Sequence, residues 1–497
     1  MNIKEAKEEI LNTVDAYLKK DETGAYEIPP ERQRPILLIG PPGIGKTAIM
    51  EQVARERGIN LVSYTITHHT RQSAIGLPYI SKKNYGGREY SVTEYTMSEI
   101  VASVYDQIER SGVEEGILFL DEINCVSETL APTMLQFLQY KTFGVHRIPD
   151  SFLIVTAGNP PQYNKSVRDF DIVTLDRVKR IDVTEDFAVW KEYAYRAAVH
   201  GAILSYLEIR RENFYSIKTN LDGKHFVTAR GWEDLSRIIT VYEELGKPVT
   251  EQLILQYLQS PEIAEDFSAY YDLYNKYKNI YRIDDIINGK VKSTDFDLRN
   301  AAFDEKLSLL GLLVDRLNRD FRQYASDEDV QKEIFGILKK SLPVGRAAFE
   351  EYYVSYRGEL DRLLEAKMLS PEETAVRRKA VMALKAYEEI GESPDAHLDD
   401  AAWKMAVKET FSKRENQRKE DAVKAGKCLT SCFSFIADTF GEGQEMVIFL
   451  TELSAGYYSL RYVSECGNDA YYRYNRLLLL KERKAELRGE IMELLKV

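Results

Sequence analysis

The chain has 497 residues, 44% apolar and 29% charged, long enough for two to four structural units with sizeable cores. Lys and Arg number 67 against 79 Asp and Glu, and the resulting charge of −12 argues against nonspecific DNA or RNA binding while leaving room for a local basic channel. The 4 cysteines are too few for a disulfide scaffold, and no run of about 18 apolar residues is present to cross a bilayer.

The opening MNIKEAKEEILNTVDAYLKK is amphipathic and predicts a helix over 3–20. It lacks an apolar h-region and a cleavage signature, so a cytoplasmic location is expected. A link through Thr23-Gly24 and Pro29-Pro30 follows. PILLI (35–39), bounded by proline and glycine, reads as a buried strand, and TAIMEQVARERG (47–58) as a helix stopped by Gly58. NLVSYTITHH (60–69) reads as a second strand, on which His68 and His69 would point to opposite faces and so do not form a metal pair. ISKKNYGGREYSV (80–92) has a Gly-Gly turn between alternating residues and predicts a β-hairpin.

SEIVASVYDQIERSG (98–112) reads as a helix, GILFLDEIN (116–124) as a buried strand, ETLAPTMLQFLQY (128–140) as a helix and SFLIVTAGNP (151–160) as a further strand. This alternation from about 35 to 185 predicts an α/β fold with a parallel sheet. Beyond about 186 the strand signal fades into charged helical pattern. There, AYYDLYNKYKNIYRI (269–283) carries tyrosines at core or interface spacing, and 371–427 reads as a pair of solvated helices. Cys428 and Cys432, four apart, are read as buried thiols, since no second pair or His completes a zinc site.

GPPGIGKT (40–47) fits G-x-x-x-x-G-K-[ST], in the strand-loop-helix context that the pattern requires. Gly40, Gly43 and Gly45 let backbone N–H groups turn inward around phosphate oxygens, in a loop that Pro41 and Pro42 help to form. Ile44 and Ala48 complete the cradle, and the following helix aims its positive end at the anion. Lys46 supplies charge for the β- and γ-phosphates, and Thr47 a hydroxyl for Mg²⁺. About 75 residues on, the strand ILFLD delivers Asp121, a Mg²⁺ ligand, and Glu122, a general base for the attacking water.

With these two elements in place the chain resembles the AAA+ ATPases, within them the MoxR-like group related to dynein and midasin, over roughly residues 1–250. The resemblance implies a P-loop AAA+ core at 31–185 after an N-terminal helix and linker (1–30), then an all-α lid at 186–260. A helical C-terminal region of unassigned role would occupy 261–497. It implies that Asn159 is sensor 1, although Asn-Pro also describes a simple turn. In TLDRVKRIDV (174–183) Arg177 is the implied arginine finger, with Arg180 the competitor. In FVTARGWEDLSRII (226–239) Arg230, after the candidate N-cap Thr228, is the implied sensor 2.

Within HHTRQSAIGLPYI (68–80) Arg71 and Gln72 are candidate subunit or substrate contacts, and the hairpin would be the family's insert. ATP and Mg²⁺ are the implied ligands, in a homo-oligomeric ring, a hexamer by resemblance, acting on a protein client such as a von Willebrand factor A-domain protein. The alternatives are a nucleic-acid-directed motor, disfavoured by the charge of −12, and a slow nucleotide-controlled scaffold. TAGNPP lacks the Asn-x-x-Asp guanine-reading pattern.

Overall fold

The computed structural model describes residues 1–68, 74, 76–163, 167, 170–220, 223–291, 298–390 and 399–477. Packing divides the chain into two compact units, the first formed by Met1–Val189 with Tyr356–Thr374, the second by Trp190–Ser355 and Ala375–Val497.

The first unit runs α1 (Ile3–Leu18), β1 (Ile36–Ile39), α2 (Lys46–Arg57), β2 (Asn60–Thr65), β3 (Pro78–Tyr85), β4 (Arg88–Tyr95), α3 (Glu99–Ser111) and β5 (Gly116–Asp121). It continues through α4 (Ala131–Tyr140), β6 (Thr142–Phe143), β7 (His146–Arg147), β8 (Phe152–Gly158), α5 (Ile172–Leu175) and β9 (Lys179–Asp182), with α6 (Phe187–Arg196) following at its boundary. Five strands form one parallel sheet in the order β2-β5-β8-β1-β9. The inner strands β5, up to Leu120, and β8 are buried and almost wholly apolar because helices cover both faces of such a sheet. Leu37, Leu118, Leu120 and Ile154 pack with Val101, Val104, Met134 and Phe137 from α3 and α4.

Local signals place the helix ends. Asn2 caps α1 in a reciprocal box with Glu5, and Ser98 caps α3. Gly58 and Gly112 end α2 and α3 in the left-handed conformation that glycine adopts without a Cβ clash. The β3–β4 hairpin turns at Gly86-Gly87, both with positive φ, and extends to 78–95. Most of its side chains, including Tyr79, Ile80, Tyr85 and Tyr90, are exposed. Chain from the C-terminal half returns to this unit: Gln107 of α3 donates from Nε2 to the Ala366 carbonyl oxygen at 2.8 Å.

Two sequence expectations change here. The second strand stops at Thr65, and Ile66–His68 form a 3₁₀ turn. β2 is an edge strand whose ladder to β5 ends, among the described residues, at Thr65–Asp121. The opposite-face argument for His68 and His69 therefore lapses; His69, Arg71 and Gln72 lie outside the described residues. The other change is β9, a strand absent from the sequence reading. Its KRID sequence hides in charge because it occupies the opposite edge of the sheet.

The second unit adds α7 (Gly201–Ile209), β10 (Ser216–Asn220), β11 (Gly223–Val227), α8 (Ala229–Glu244), α9 (Glu251–Leu258), α10 (Pro261–Ile280) and α11 (Ile283–Ile287). The chain goes on through α12 (Phe303–Ser341), α13 (Arg346–Glu365), α14 (Pro371–Glu389), α15 (Asp400–Phe440), α16 (Gln444–Ala455) and α17 (Tyr457–Cys466). The 39-residue α12 is its axis, packed against α7, α10, α15, α16 and α17. The unit thus runs across residue 260 without a break. The antiparallel β10–β11 pair was not anticipated, because its residues are mostly polar. Tyr271 and Tyr274 are buried, as their spacing predicts, and Cys428 and Cys432 are buried free thiols on α15. Among the described residues no helix is long and apolar enough to cross a membrane.

Candidate nucleotide-binding site

The loop Gly40–Thr47 follows β1, the strand between β8 and β9, and so opens at the carboxyl end of the sheet, where parallel sheets bind ligands. Gly43 and Gly45 take φ of 73° and 97°, a region closed to most side chains. Gly45 is the N-cap of α2, so the helix begins at Lys46 with its first N–H groups unpaired by the helix itself. At Gly40 a Cβ would lie 2.7 Å from the Val183 carbonyl oxygen, so any larger residue would push the loop off the sheet. Ile44 is buried beneath the loop, whereas Ala48 is exposed on α2.

Lys46 is only 9% exposed. Its Nζ donates to the carbonyl oxygens of Gly40 and Pro41, both at 2.8 Å, and to Oδ1 of Asn159 at 2.9 Å. A charged amine withdrawn from water needs such acceptors. Asn159, 113 residues away in the chain, stands directly after β8. The lysine and the residue expected to sense the γ-phosphate are therefore in contact.

Thr47 Oγ1 donates to Asp121 Oδ2 at 3.3 Å. Two hard oxygen ligands side by side at the end of β5 fit Mg²⁺, which takes one or two protein oxygens and completes its shell with phosphate and water. Asp121 Oδ1 also accepts from the Glu122 N–H at 2.8 Å, which orients the carboxylate. Glu122 adopts φ 57°, a left-handed conformation unfavourable without glycine, and starts the 3₁₀ turn Ile123–Cys125. Burial pushes the neighbouring Cys125 thiol up, and the charges of Glu122 and Asp121 push it further. It stays protonated at neutral pH and is no nucleophile.

Arg177 is exposed just past α5, and its Nη1 donates to Gln139 Oε1 at 3.0 Å. Arg180, on the edge strand β9, is held by Asp182: Nε donates to Oδ1 at 2.9 Å and Nη2 to the same oxygen at 2.8 Å. Arg230 belongs to the second unit, exposed in the first turn of α8. Thr228 caps that helix by accepting from the Gly231 N–H at 3.2 Å. One further residue joins the site without having been singled out. Asn124 is buried in the turn after Glu122, and its Nδ2 donates to the Asn159 carbonyl oxygen at 2.8 Å. Nothing in ILFLDEIN marks that asparagine as a partner of residue 159.

Residues 35–178 match the family model described as AAA domain (dynein-related subfamily). This segment is similar to the AAA domains of that subfamily. It contains the phosphate-binding loop, Asp121, Glu122, Asn124, Asn159 and Arg177. The AAA domain supports nucleotide binding and ATPase activity for the chain, and the parallel sheet followed by a helical region is an AAA+ core with helical additions. No curated protein matches the chain.

Proposed function

We propose that the protein hydrolyses ATP with Mg²⁺ and uses the cycle to remodel a partner protein, as a MoxR-like AAA+ ring. The observation that carries the hydrolytic part is the convergence of Lys46, Asn159, Thr47 and Asp121 at one end of the sheet. Lys46 leaves its carbonyl partners for the β- and γ-phosphates when nucleotide arrives. Thr47 and Asp121 hold Mg²⁺, which neutralises phosphate charge when bound. Glu122 accepts a proton from the attacking water, and Asn159 orients that water or the γ-phosphate.

The ring, with six copies as the reading by resemblance, completes each site from a neighbour. Arg177 suits the role of finger, since it is exposed and its side chain hydrogen-bonds the neutral amide of Gln139, whereas Arg180 is held by the Asp182 carboxylate. Its planar, permanent charge stabilises the spreading phosphoryl charge. Arg230 reads nucleotide state from α8, and the exposed β3–β4 hairpin meets the ring's partner, of which a von Willebrand factor A-domain protein is the type expected.

The test is ATP turnover by the full chain alone, with such a partner and with DNA. Stimulation by the protein partner is the expected result. Stimulation by DNA alone would replace remodelling with a nucleic-acid-directed motor. Glu122→Gln should retain ATP and accumulate larger assemblies by light scattering; wild-type turnover in that variant would remove the assigned mechanism.

A further inference from the structure

The ladder joining β5 to β8 ends at Leu120 and Thr156. Beyond it the backbone no longer sets how Glu122 stands relative to Asn159. Each strand end keeps its other neighbour, β5 pairing with β2 up to Asp121 and β8 with β1 up to Gly158, but neither ladder joins Glu122 to Asn159. Glu122 sits in a left-handed conformation, and Pro160, which follows Asn159, has no N–H to donate. Asn124 supplies the next cross-link, from its Nδ2 to the Asn159 carbonyl oxygen. The amide orientation is fixed by chemistry, because only the nitrogen can donate to a carbonyl.

The fold tolerates two costs to keep this contact. Asn124 is 6% exposed, and its Oδ1 is buried with no hydrogen-bond partner among the described residues, which is unfavourable for a group of this polarity. Residue 158 is also confined to glycine: a Cβ there would lie 2.5 Å from Asn124 Oδ1. On its other side Asn159 reaches Lys46. Three side chains, Asn124, Asn159 and Lys46, thus join the turn after Glu122 to the phosphate-binding loop across three separate strand ends.

We propose that Asn124 is a positioning residue that holds Asn159, and through it Lys46, in register with Glu122. This rests on the hydrolytic reading of the site given above. An error of about 1 Å in such a register costs on the order of 10²-fold in rate without removing the groups that bind substrate.

The experiment measures steady-state Mg²⁺-ATP turnover, affinity for a fluorescent ATP analogue and melting temperature on the full chain. The variants are Asn124→Leu, Gly158→Ala, Glu122→Gln and, as a stability control remote from the chemistry, the core change Ile154→Val. Asn124→Leu is expected to lower kcat by about 10- to 100-fold with nucleotide affinity within about threefold. Gly158→Ala, which drives a methyl into the Asn124 amide, should give the same split. Should Asn124→Leu fail to fold, Gly158→Ala carries the test. Combining Gly158→Ala with Asn124→Ala, which empties the contested space, should add little to either single loss. A wild-type kcat in folded Asn124→Leu beside an inactive Glu122→Gln overturns the role of Asn124 alone. Losses that merely follow melting temperature, as in Ile154→Val, overturn it equally. Wild-type turnover in Glu122→Gln removes the hydrolytic reading and this inference with it.

Discussion

In the first unit the withdrawn polar groups Lys46, Asn124 and Asn159 gather at one end of the sheet and touch one another. In the second they are dispersed between helices. Tyr195 donates to Glu452, which Lys191 also meets, Tyr206 to Asp266, and Tyr271 to Glu243, which His200 also meets, so each carboxylate ties a few side chains of neighbouring helices together. Burial first, then the carboxylate partner, pushes the Tyr271 phenol well up, so it remains a neutral donor. Convergent buried polarity brings several functional groups within reach of one ligand. Dispersed pairs each fix one helix against another. Both arrangements bury polar atoms, and only the first stands beside a phosphate-binding loop.

Five substitutions press on that contrast. Glu122→Gln should cost about 10⁴-fold in kcat, the upper range for losing a general base, while binding of nucleotide persists. A loss confined to binding would break the assignment of chemistry to this end of the sheet. Arg177→Ala should lower turnover by about 10³-fold in the assembled protein, as removal of an arginine finger does. Arg180→Ala should leave turnover within a few-fold, about the effect of losing a surface ion pair. Equal losses, measured at one protein concentration, would reverse the choice between the two arginines.

In the second unit Trp232 is fully buried against Tyr206 and Phe267, with ring centroids 5.7 and 5.2 Å away. Trp232→Ala should destabilise by about 3–5 kcal/mol in urea denaturation. Its cost should appear in stability, whereas Glu122→Gln should leave stability unchanged. A Glu122→Gln variant destabilised as strongly would blur the distinction.

A further expected effect concerns a buried charge in the first unit that lies outside the convergent cluster. Burial pushes the Lys141 ammonium down to about 8, against the opposing pull of Asp150. The unfolded chain then binds more protons than the folded one between about pH 8 and 10.5, the ordinary lysine value, so stability rises with pH across that window. The cost is fully present below pH 8 and amounts to about 2–3 kcal/mol. Lys141→Met should abolish that rise, seen as urea midpoints that no longer increase between pH 7 and 10. A slope identical to wild type would assign it elsewhere.

Much of the site was legible because its parts are short and contiguous. Gly40–Thr47 is an octapeptide whose glycines must stand where φ turns positive, and Asp121-Glu122 ends an apolar run that can only be a buried strand. Asn159 was readable as a polar residue ending another such run. Asn124 was not, since its significance is a bond to a residue 35 positions away. β9 and the β10–β11 pair were missed for a related reason: strands at an edge or outside the main sheet need little apolar sequence, so they carry no periodic signal.

Sequence alone determined the elements whose cause is local: the capping box at Asn2, the glycine stops at Gly58 and Gly112, the hairpin turn at Gly86-Gly87 and the phosphate loop itself. Backbone sterics and hydrogen-bond capping act over a few residues and are written in those residues. Tertiary structure decided what depends on pairing between distant segments. It ended β2 where β5 ends, set β1 between β8 and β9, returned residues 356–374 to the nucleotide unit, and brought Lys46 to Asn159 and Asn159 to Asn124. Those contacts arise from packing the whole sheet, and no local stretch of chain contains them.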